Sequence, residues 1–322
     1  MNFLETLEIK NGSEITLQSH GELERVHVFD TLSIRAVDAA LAAKRPLLIR
    51  GEPGIGKSQL ARAVAKVLKR VFVQHVIDAH CESQDLMWRF DAVQRLADAQ
   101  LGQAADLGAD ALEQKLRLKN YLHPGPLWWA FDWNTALKQA KLRNIPAPMQ
   151  EEDSNPDNGC VLLIDEIDKA EMDVPNGLLE ALGEGCFTPD GWGKPICASG
   201  ITPLVIITTN EERALPPAFL RRCLVLYLEL VKDGEDLVEH LIKRGRAHFK
   251  DMDEKVLREA AEQLQTDRKQ ANDRQLKPLP GQAEYLDLLR ALNYIAPGDA
   301  DKQRTKLKEI APFVVQKHSG SE

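Results

Sequence analysis

The hydrophobic positions of the chain change their spacing about two thirds of the way along it. Up to residue 228 they form short apolar runs with the length of buried strands. Five runs fit this description: residues 46–50, 71–77, 161–164, 204–207 and 224–228. Helical patterns separate most of them, as in residues 60–68 behind the first run. This alternation predicts an α/β fold with a mostly parallel sheet between helices.

Beyond about Val231 the apolar residues recur only at helical spacing. Three stripes are present: Leu237, Val238, Leu241 and Ile242; Val256, Leu257, Ala260 and Leu264; Leu286, Leu289, Leu292 and Ile295. Polar stretches such as residues 267–277 are interpreted as their linkers. We therefore predict an α/β domain over residues 1–230, a small all-α lid domain over 231–316, and a flexible tail over 317–322.

Two long insertions interrupt the predicted sheet domain. The longer, about residues 80–158, contains Trp128, Trp129 and Trp133, for which packing is favoured over a partner surface. The shorter, about residues 186–199, has the turn chemistry of a β-hairpin tip around Trp192. Trp192 is expected to be exposed, and contact with a substrate or a neighbouring subunit stays open for it.

A glycine-rich segment follows the first apolar run and precedes a helical pattern. Its eight residues match G-x-x-x-x-G-K-[ST]: Gly51, Glu52, Pro53, Gly54, Ile55, Gly56, Lys57 and Ser58. Between a strand and a helix, this motif folds into a loop whose backbone N–H groups surround phosphates. The Lys57 ammonium is predicted to reach the β- and γ-phosphates of ATP, and the Ser58 hydroxyl to bind Mg²⁺.

The run at residues 161–164 leads directly into two acids, Asp165 and Glu166. Adjacent carboxylates repel, so a cationic group is expected to compensate them. Downstream of a phosphate loop, Asp165 is predicted to hold Mg²⁺ through water and Glu166 to polarise the attacking water.

The run at residues 204–207 ends in a polar segment that contains Asn210. If this strand neighbours the one that ends in Asp165, Asn210 would help to fix the attacking water. The alternative is that Asn210 only begins a turn, a role for which asparagine is well suited.

Together with the phosphate loop, three further segments carry a family resemblance. They are Ile164–Ala170 (IDEIDKA), Thr208–Glu212 (TTNEE) and Leu215–Arg222 (LPPAFLRR). The chain resembles AAA+ ATPases, and more narrowly the MoxR-like group, which belongs with dynein-related and minichromosome-maintenance ATPases. The resemblance extends over roughly residues 26–228 and only loosely over the lid.

The resemblance implies roles for the residues that match. Lys57 and Ser58 would belong to Walker A, Asp165 and Glu166 to Walker B, and Asn210 would be sensor 1. The insertions at 80–158 and 186–199 would be the helix-2 insert and the pre-sensor-1 hairpin.

The family also places an arginine finger after the sensor 1 strand, where it acts on a neighbouring subunit's nucleotide. Arg222 takes that position and Arg221 lies one residue away, so either is a candidate and Arg222 is favoured. A finger acting in trans implies a ring of identical subunits, with a hexamer favoured. One feature departs from the pattern: residues 277–284 contain no sensor 2 arginine, and either Lys277 replaces it or the role is absent.

Composition bears on three further questions: nucleic-acid binding, the state of the cysteines and the location of the protein. A net charge of −8 disfavours non-specific nucleic-acid binding. The five scattered cysteines lack a C-x-x-C pair, so a zinc ribbon and a disulfide framework are disfavoured and reduced, mostly buried thiols are expected. An acidic N-terminal segment without an apolar run, and no long apolar stretch, favour the cytoplasm and disfavour a membrane segment.

Three functional hypotheses follow. The first is an ATP-hydrolysing ring that remodels or activates a protein, and the MoxR resemblance implies a partner with a von Willebrand factor A domain. The second is a nucleotide-switched assembly scaffold with slow or no hydrolysis, which Glu166 and the finger candidates disfavour. The third is a nucleic-acid-linked or GTP-driven motor, which the acidic charge and the missing N-K-x-D motif disfavour.

Overall fold

The computed structural model describes residues 3–17, 25–104, 108–231 and 234–314. The predicted tail over 317–322 lies outside them. The strands within these residues are β1 Glu14–Leu17, β2 Arg25–Val28, β3 Leu47–Gly51, β4 Arg70–Val76, β5 Trp88–Phe90, β6 Leu122–Pro124, β7 Asn155–Asp165, β8 Cys186–Phe187, β9 Ile196–Cys197, β10 Leu204–Thr209 and β11 Leu224–Leu228.

Helices connect most of these strands, and the described chain after β11 is helical. Within the described residues they are α1 Thr31–Ala43, α2 Lys57–Val67, α3 Ala92–Ala104, α4 Ala109–Lys115, α5 Pro126–Phe131, α6 Trp133–Leu142, α7 Asp173–Glu184, α8 Pro217–Arg222, α9 Glu235–His248, α10 Glu254–Asp273, α11 Gln282–Ile295 and α12 Ala300–Val314. None of them is long and apolar enough to cross a membrane.

The five predicted strands are confirmed as the members of a single sheet with the order β11-β3-β10-β7-β4. Strand β7 pairs in parallel with β10 on one side and with β4 on the other. In the β7–β10 pair, Ile164 lies opposite Ile207, and both are fully buried. The two strands therefore end side by side, which fulfils the condition stated for Asn210.

The chain divides into two compact units. The first contains Met1–Ile9, Leu32–Ile49 and Ala61–Leu226, and the second contains Lys10–Thr31, Arg50–Leu60 and Tyr227–Glu322. The second unit thus includes residues of the phosphate loop and an N-terminal segment, besides the C-terminal helices.

The tryptophan-rich insertion belongs to the core of the first unit, as expected. Trp128 is fully buried and donates its indole N–H to the Thr135 hydroxyl at 2.9 Å. The Trp129 and Trp133 rings meet edge to face at 4.9 Å, although the chain ends one helix and begins another between them. Packing explains these three residues, since a long insertion needs large side chains to fill its interior.

Two predictions for the shorter insertion are wrong. Trp192 is not an exposed tip residue, because its ring packs edge to face on Trp128 at 4.8 Å. Cys186 and Cys197 are not reduced thiols, because they lie opposite each other on β8 and β9 and form a disulfide. Pairing across an antiparallel hairpin brings distant cysteines together without any C-x-x-C motif. The other cysteines are free and buried, as predicted: Cys81, Cys160 and Cys223.

The second unit has its own apolar core, formed by α9, α10, α11 and α12. The three predicted helical stripes are confirmed as α9, α10 and α11, except that Ile295 of the third is exposed. Helix α12 was not predicted. The hairpin of β1 and β2 packs on α9, where Arg244 donates to the carbonyl of Val28 at 2.6 Å. The stretch interpreted as a linker is also partly helical, because α10 continues to Asp273.

Candidate functional site

The predicted phosphate loop lies between β3 and α2 and needs glycine where it approaches the C-terminal segment. At Gly51 the backbone φ is +151°, and a Cβ atom would lie 2.2 Å from the carbonyl oxygen of Leu228. At Gly54 φ is +77°, and a Cβ atom would lie 2.7 Å from the Cβ of Ala283 on α11. No side chain fits at either distance, so the loop's path depends on these glycines.

Lys57 is the first residue of α2 and is only 6% exposed. Its ammonium donates to the carbonyl oxygens of Gly51 at 2.7 Å and Glu52 at 2.9 Å. A nearly buried cation is thus held by the loop's own backbone. Ser58 follows it in the first turn of the helix, whose N-terminal N–H groups and dipole favour anions.

The Asp165 carboxylate closes strand β7 and is held from both neighbouring strands. The hydroxyl of Thr208 on β10 donates to Oδ1 at 2.5 Å, and the Gln74 amide on β4 donates to Oδ2 at 3.2 Å. The Thr208 hydroxyl also accepts a hydrogen bond from the backbone N–H of Glu166 at 2.9 Å. One fully buried hydroxyl therefore fixes both predicted Walker B acids.

Glu166 has φ +60°, the left-handed region that non-glycine residues seldom adopt. Its Oε1 accepts a hydrogen bond from the Asn210 side-chain amide at 3.3 Å, and its Oε2 pairs with the Lys169 ammonium. The predicted compensating cation is therefore Lys169, and its hydrogen bond with Glu166 raises the pKa of Lys169. Glu166 and Asn210 are brought together as the sequence predicted.

Asp168 is a residue of this cluster that the sequence analysis missed. It is 2% exposed and accepts hydrogen bonds from the backbone N–H groups of Asn210 at 3.2 Å and Glu212 at 3.0 Å. It thereby fixes the start of the loop that carries Asn210. The available signal was an acid two residues after Glu166, directly after the apolar residue Ile167.

Both finger candidates lie at the end of the short helix α8 and are exposed. The Arg222 guanidinium donates to the carbonyl of Leu179 on α7 at 2.7 Å. The Arg45 guanidinium donates to the carbonyl oxygens of Arg221, Arg222 and Cys223. Arg45 thus fixes the end of α8, a helix too short to be stable alone.

A cavity of about 710 Å³ adjoins this helix end in the first unit. Its charged lining includes Lys44, Arg45, Arg221 and Arg222 on the basic side, and Glu180 and Glu184 on the acidic side. The two finger candidates therefore share a concave, mixed-charge surface.

Comparison with known proteins identifies the family of this chain. Residues 46–223, just over half of the chain, match the model of the AAA domain, dynein-related subfamily. The chain belongs to this family. The match begins at the strand before the phosphate loop and ends just after Arg222. Together with the parallel five-stranded sheet and the helical C-terminal region of the structure, it confirms the predicted AAA+ P-loop fold.

One curated protein and one solved structure are similar to this chain. A Lon protease of Dictyoglomus thermophilum is 26% identical over 269 residues, which cover 77% of this chain. The chain spans only 28% of the length of that relative. Among solved structures, a RuvB variant of Thermotoga maritima has a TM-score of 0.40 and 15% identity, over 88% of this chain and 75% of the RuvB chain.

The donors in this AAA domain suit magnesium that arrives with a nucleotide. Mg²⁺ in such proteins is held by one or two protein oxygens together with substrate phosphates and water. The predicted ligands, Ser58 in the second unit and Asp165 in the first, would supply one hydroxyl and one carboxylate. Within the described residues, no group of three or more His, Cys, Asp or Glu side chains is placed to hold a metal ion by itself.

Thr208→Val should destabilise the AAA domain, because it replaces the shared hydroxyl by a methyl group of similar size. The Asp165 carboxylate and the Glu166 N–H each lose a buried partner, so we expect the free energy of unfolding to fall by about 2–3 kcal/mol. Urea denaturation followed by circular dichroism measures this change. Thr208→Ser is the matched control, since it keeps the hydroxyl and should cost only about 1 kcal/mol for the lost methyl. Equal losses in the two variants would contradict the role of the hydroxyl.

Proposed function

We propose that this AAA domain binds Mg·ATP and hydrolyses it. The observation that carries the proposal is the cluster at the carboxyl ends of β7 and β10, where Thr208 fixes Asp165 and Glu166, and Asn210 contacts Glu166. A merely structural pair of acids would not need a water-positioning amide beside the second one. The phosphate loop supports the same function, because its buried Lys57 is already directed into the loop.

The roles follow from the chemistry of each group. Lys57 neutralises charge on the β- and γ-phosphates, and the N–H groups of residues 51–58 bind their oxygens. Ser58 and Asp165 hold Mg²⁺, Asp165 through water, and the ion neutralises charge that develops on the phosphates. Glu166 accepts a proton from the attacking water, and Asn210 orients that water.

The working assembly is proposed to be a ring, with a hexamer favoured. Arg222 is exposed at the end of α8, and a guanidinium there can stabilise the transferring phosphoryl group of a neighbouring subunit. Arg221 is the alternative finger. AAA+ proteins commonly assemble into rings, and this supports the proposal.

The finer assignment is a MoxR-like ATPase that remodels or activates a protein partner. It is supported by the matching segments IDEIDKA, TTNEE and LPPAFLRR and by membership of the dynein-related AAA family. The proposed partner carries a von Willebrand factor A domain, and the proposed location is the cytoplasm. A nucleotide-switched scaffold is the second candidate, and an intact Glu166–Asn210 contact disfavours it because a scaffold does not require activation of water.

Phosphate release from the purified chain tests the proposed reaction. We expect ATP turnover that falls at least about 10-fold when EDTA removes Mg²⁺, since the ion neutralises the transferring phosphoryl group. GTP should be a poorer substrate and single-stranded DNA should not stimulate turnover, because the chain is acidic and lacks a guanine-reading motif. ATP binding without turnover would favour the scaffold, and preference for GTP or stimulation by DNA would favour the third hypothesis.

A further inference from the structure

An arginine of helix α10 contacts the phosphate loop directly. Arg268 is 9% exposed, and its Nη2 donates to both carboxylate oxygens of Glu52, at 3.1 and 3.0 Å. Its Nη1 donates to the carbonyl oxygen of Pro280 at 2.9 Å. The guanidinium is thus fixed on one side by the turn before α11 and on the other by the second residue of the loop.

Glu52 is bound through its main chain as well as its side chain. Its carbonyl oxygen accepts a hydrogen bond from Lys57, while its carboxylate pairs with Arg268. The close approach of Gly54 to Ala283 is a second contact of the loop, made with the following helix α11. The loop therefore meets α10 at Glu52 and α11 at Gly54.

The charge at Glu52 opposes the ligand that the loop is proposed to bind. A carboxylate in a phosphate loop adds negative charge beside a polyanion, and half of this side chain is shielded from water. Arg268 is the cation that compensates it. Lys277, the residue considered for the sensor 2 role, is exposed and makes no hydrogen bond or ion pair with any residue that the structure describes.

We propose that Arg268 is a positioning residue for nucleotide binding: it neutralises and orients Glu52, and through this ion pair helix α10 controls the affinity of the phosphate loop for ATP. The proposal rests on the proposed function, because it requires that the loop binds ATP. It assigns to Arg268 an action on the loop, not a contact with the reacting phosphate.

A double-mutant cycle on nucleotide affinity tests this pair. Equilibrium titration with ATP should show that Arg268→Gln weakens binding about 10-fold, because the uncompensated carboxylate repels the phosphates. In the Glu52→Gln background the same substitution should change affinity less than about 3-fold, since no charge remains to be compensated. The loss should be larger for ATP than for ADP, and should shrink as salt rises, because both depend on charge.

Arg274→Gln is the matched control, an exposed arginine at the end of the same helix, and it should leave ATP affinity within about 2-fold of wild type. Arg268→Lys keeps the charge and should lose less affinity than Arg268→Gln, which provides a second variant if the first does not fold. The proposal is overturned if Arg268→Gln binds ATP as wild type does, or if it weakens binding equally in both backgrounds and at all salt concentrations.

The titration also separates this proposal from the proposed function. If the wild-type chain binds ATP and Lys57→Ala does not, while the Arg268–Glu52 coupling is absent, only the role of Arg268 fails. If the wild-type chain does not bind ATP at all, both proposals fail.

Discussion

Lys57→Ala should weaken ATP binding at least about 100-fold, because it removes the buried cation that the carbonyls of the phosphate loop hold. Lys57 is buried and its ammonium is fixed by the carbonyls of Gly51 and Glu52, so it is held close to the phosphates that the loop is proposed to bind. Equilibrium titration with a fluorescent ATP analogue measures the loss. Lys66→Ala is the control, since Lys66 lies on the same helix but pairs with Glu151 at the surface.

The variant Glu166→Gln should retain ATP binding and lose hydrolysis, in contrast to Lys57→Ala. The amide has the shape of the carboxylate and can still accept from Asn210, but it cannot take a proton from water. We expect ATP affinity within a few-fold of wild type and turnover reduced about 1000-fold. If the Lys57 and Glu166 variants lose ATP affinity equally, the two role assignments are wrong.

Arg222→Ala should reduce turnover by about 100-fold or more while ATP affinity stays within a few-fold of wild type. The side chain lies exposed at the end of α8, so it is available to act on a neighbour's phosphates, whereas binding depends on the loop. Steady-state phosphate release and a separate titration measure the two quantities. Arg221→Ala is the comparison variant, and a larger loss there would identify Arg221 as the finger.

Mixing two inactive variants gives the sharper form of this test. In a mixed ring, some interfaces pair an intact Glu166 with an intact Arg222 from the neighbour. Turnover should therefore partly return when Arg222→Ala and Glu166→Gln subunits are combined and allowed to exchange. No recovery despite exchange, or full turnover by a strict monomer, would contradict action in trans.

The five sheet strands could be predicted because each contains an apolar run, and the runs of the central strands β7 and β10 are buried on both faces. Helix α12 was missed because only Gln303, Leu307 and Ala311 are buried along its described length. The hairpin of β1 and β2 was missed because its strands have only four residues each. Short or largely polar elements owe their stability to contacts with distant residues, which local patterns do not contain.

The residues of the candidate site that belong to a sequence motif could be predicted. Those that act through buried hydrogen bonds could not. Glu166 and Asn210 follow from motifs, but Asp168 and Thr208 act through hydrogen bonds between segments that lie about 40 residues apart in the chain. Arg268 was placed in a linker because its neighbours are polar. Yet it lies four residues after Leu264 and eleven after Leu257, on the apolar stripe of α10, so its spacing already indicated burial.

The contacts of Arg45 limit how another molecule can recognise the end of α8. The last carbonyl oxygens of a helix usually lack a partner within it and are available to a bound chain. Here those of Arg221, Arg222 and Cys223 already accept hydrogen bonds from one guanidinium. A chain that binds there therefore contacts side chains instead of these three carbonyl oxygens, and its selectivity depends on the identity of the side chains at the end of α8.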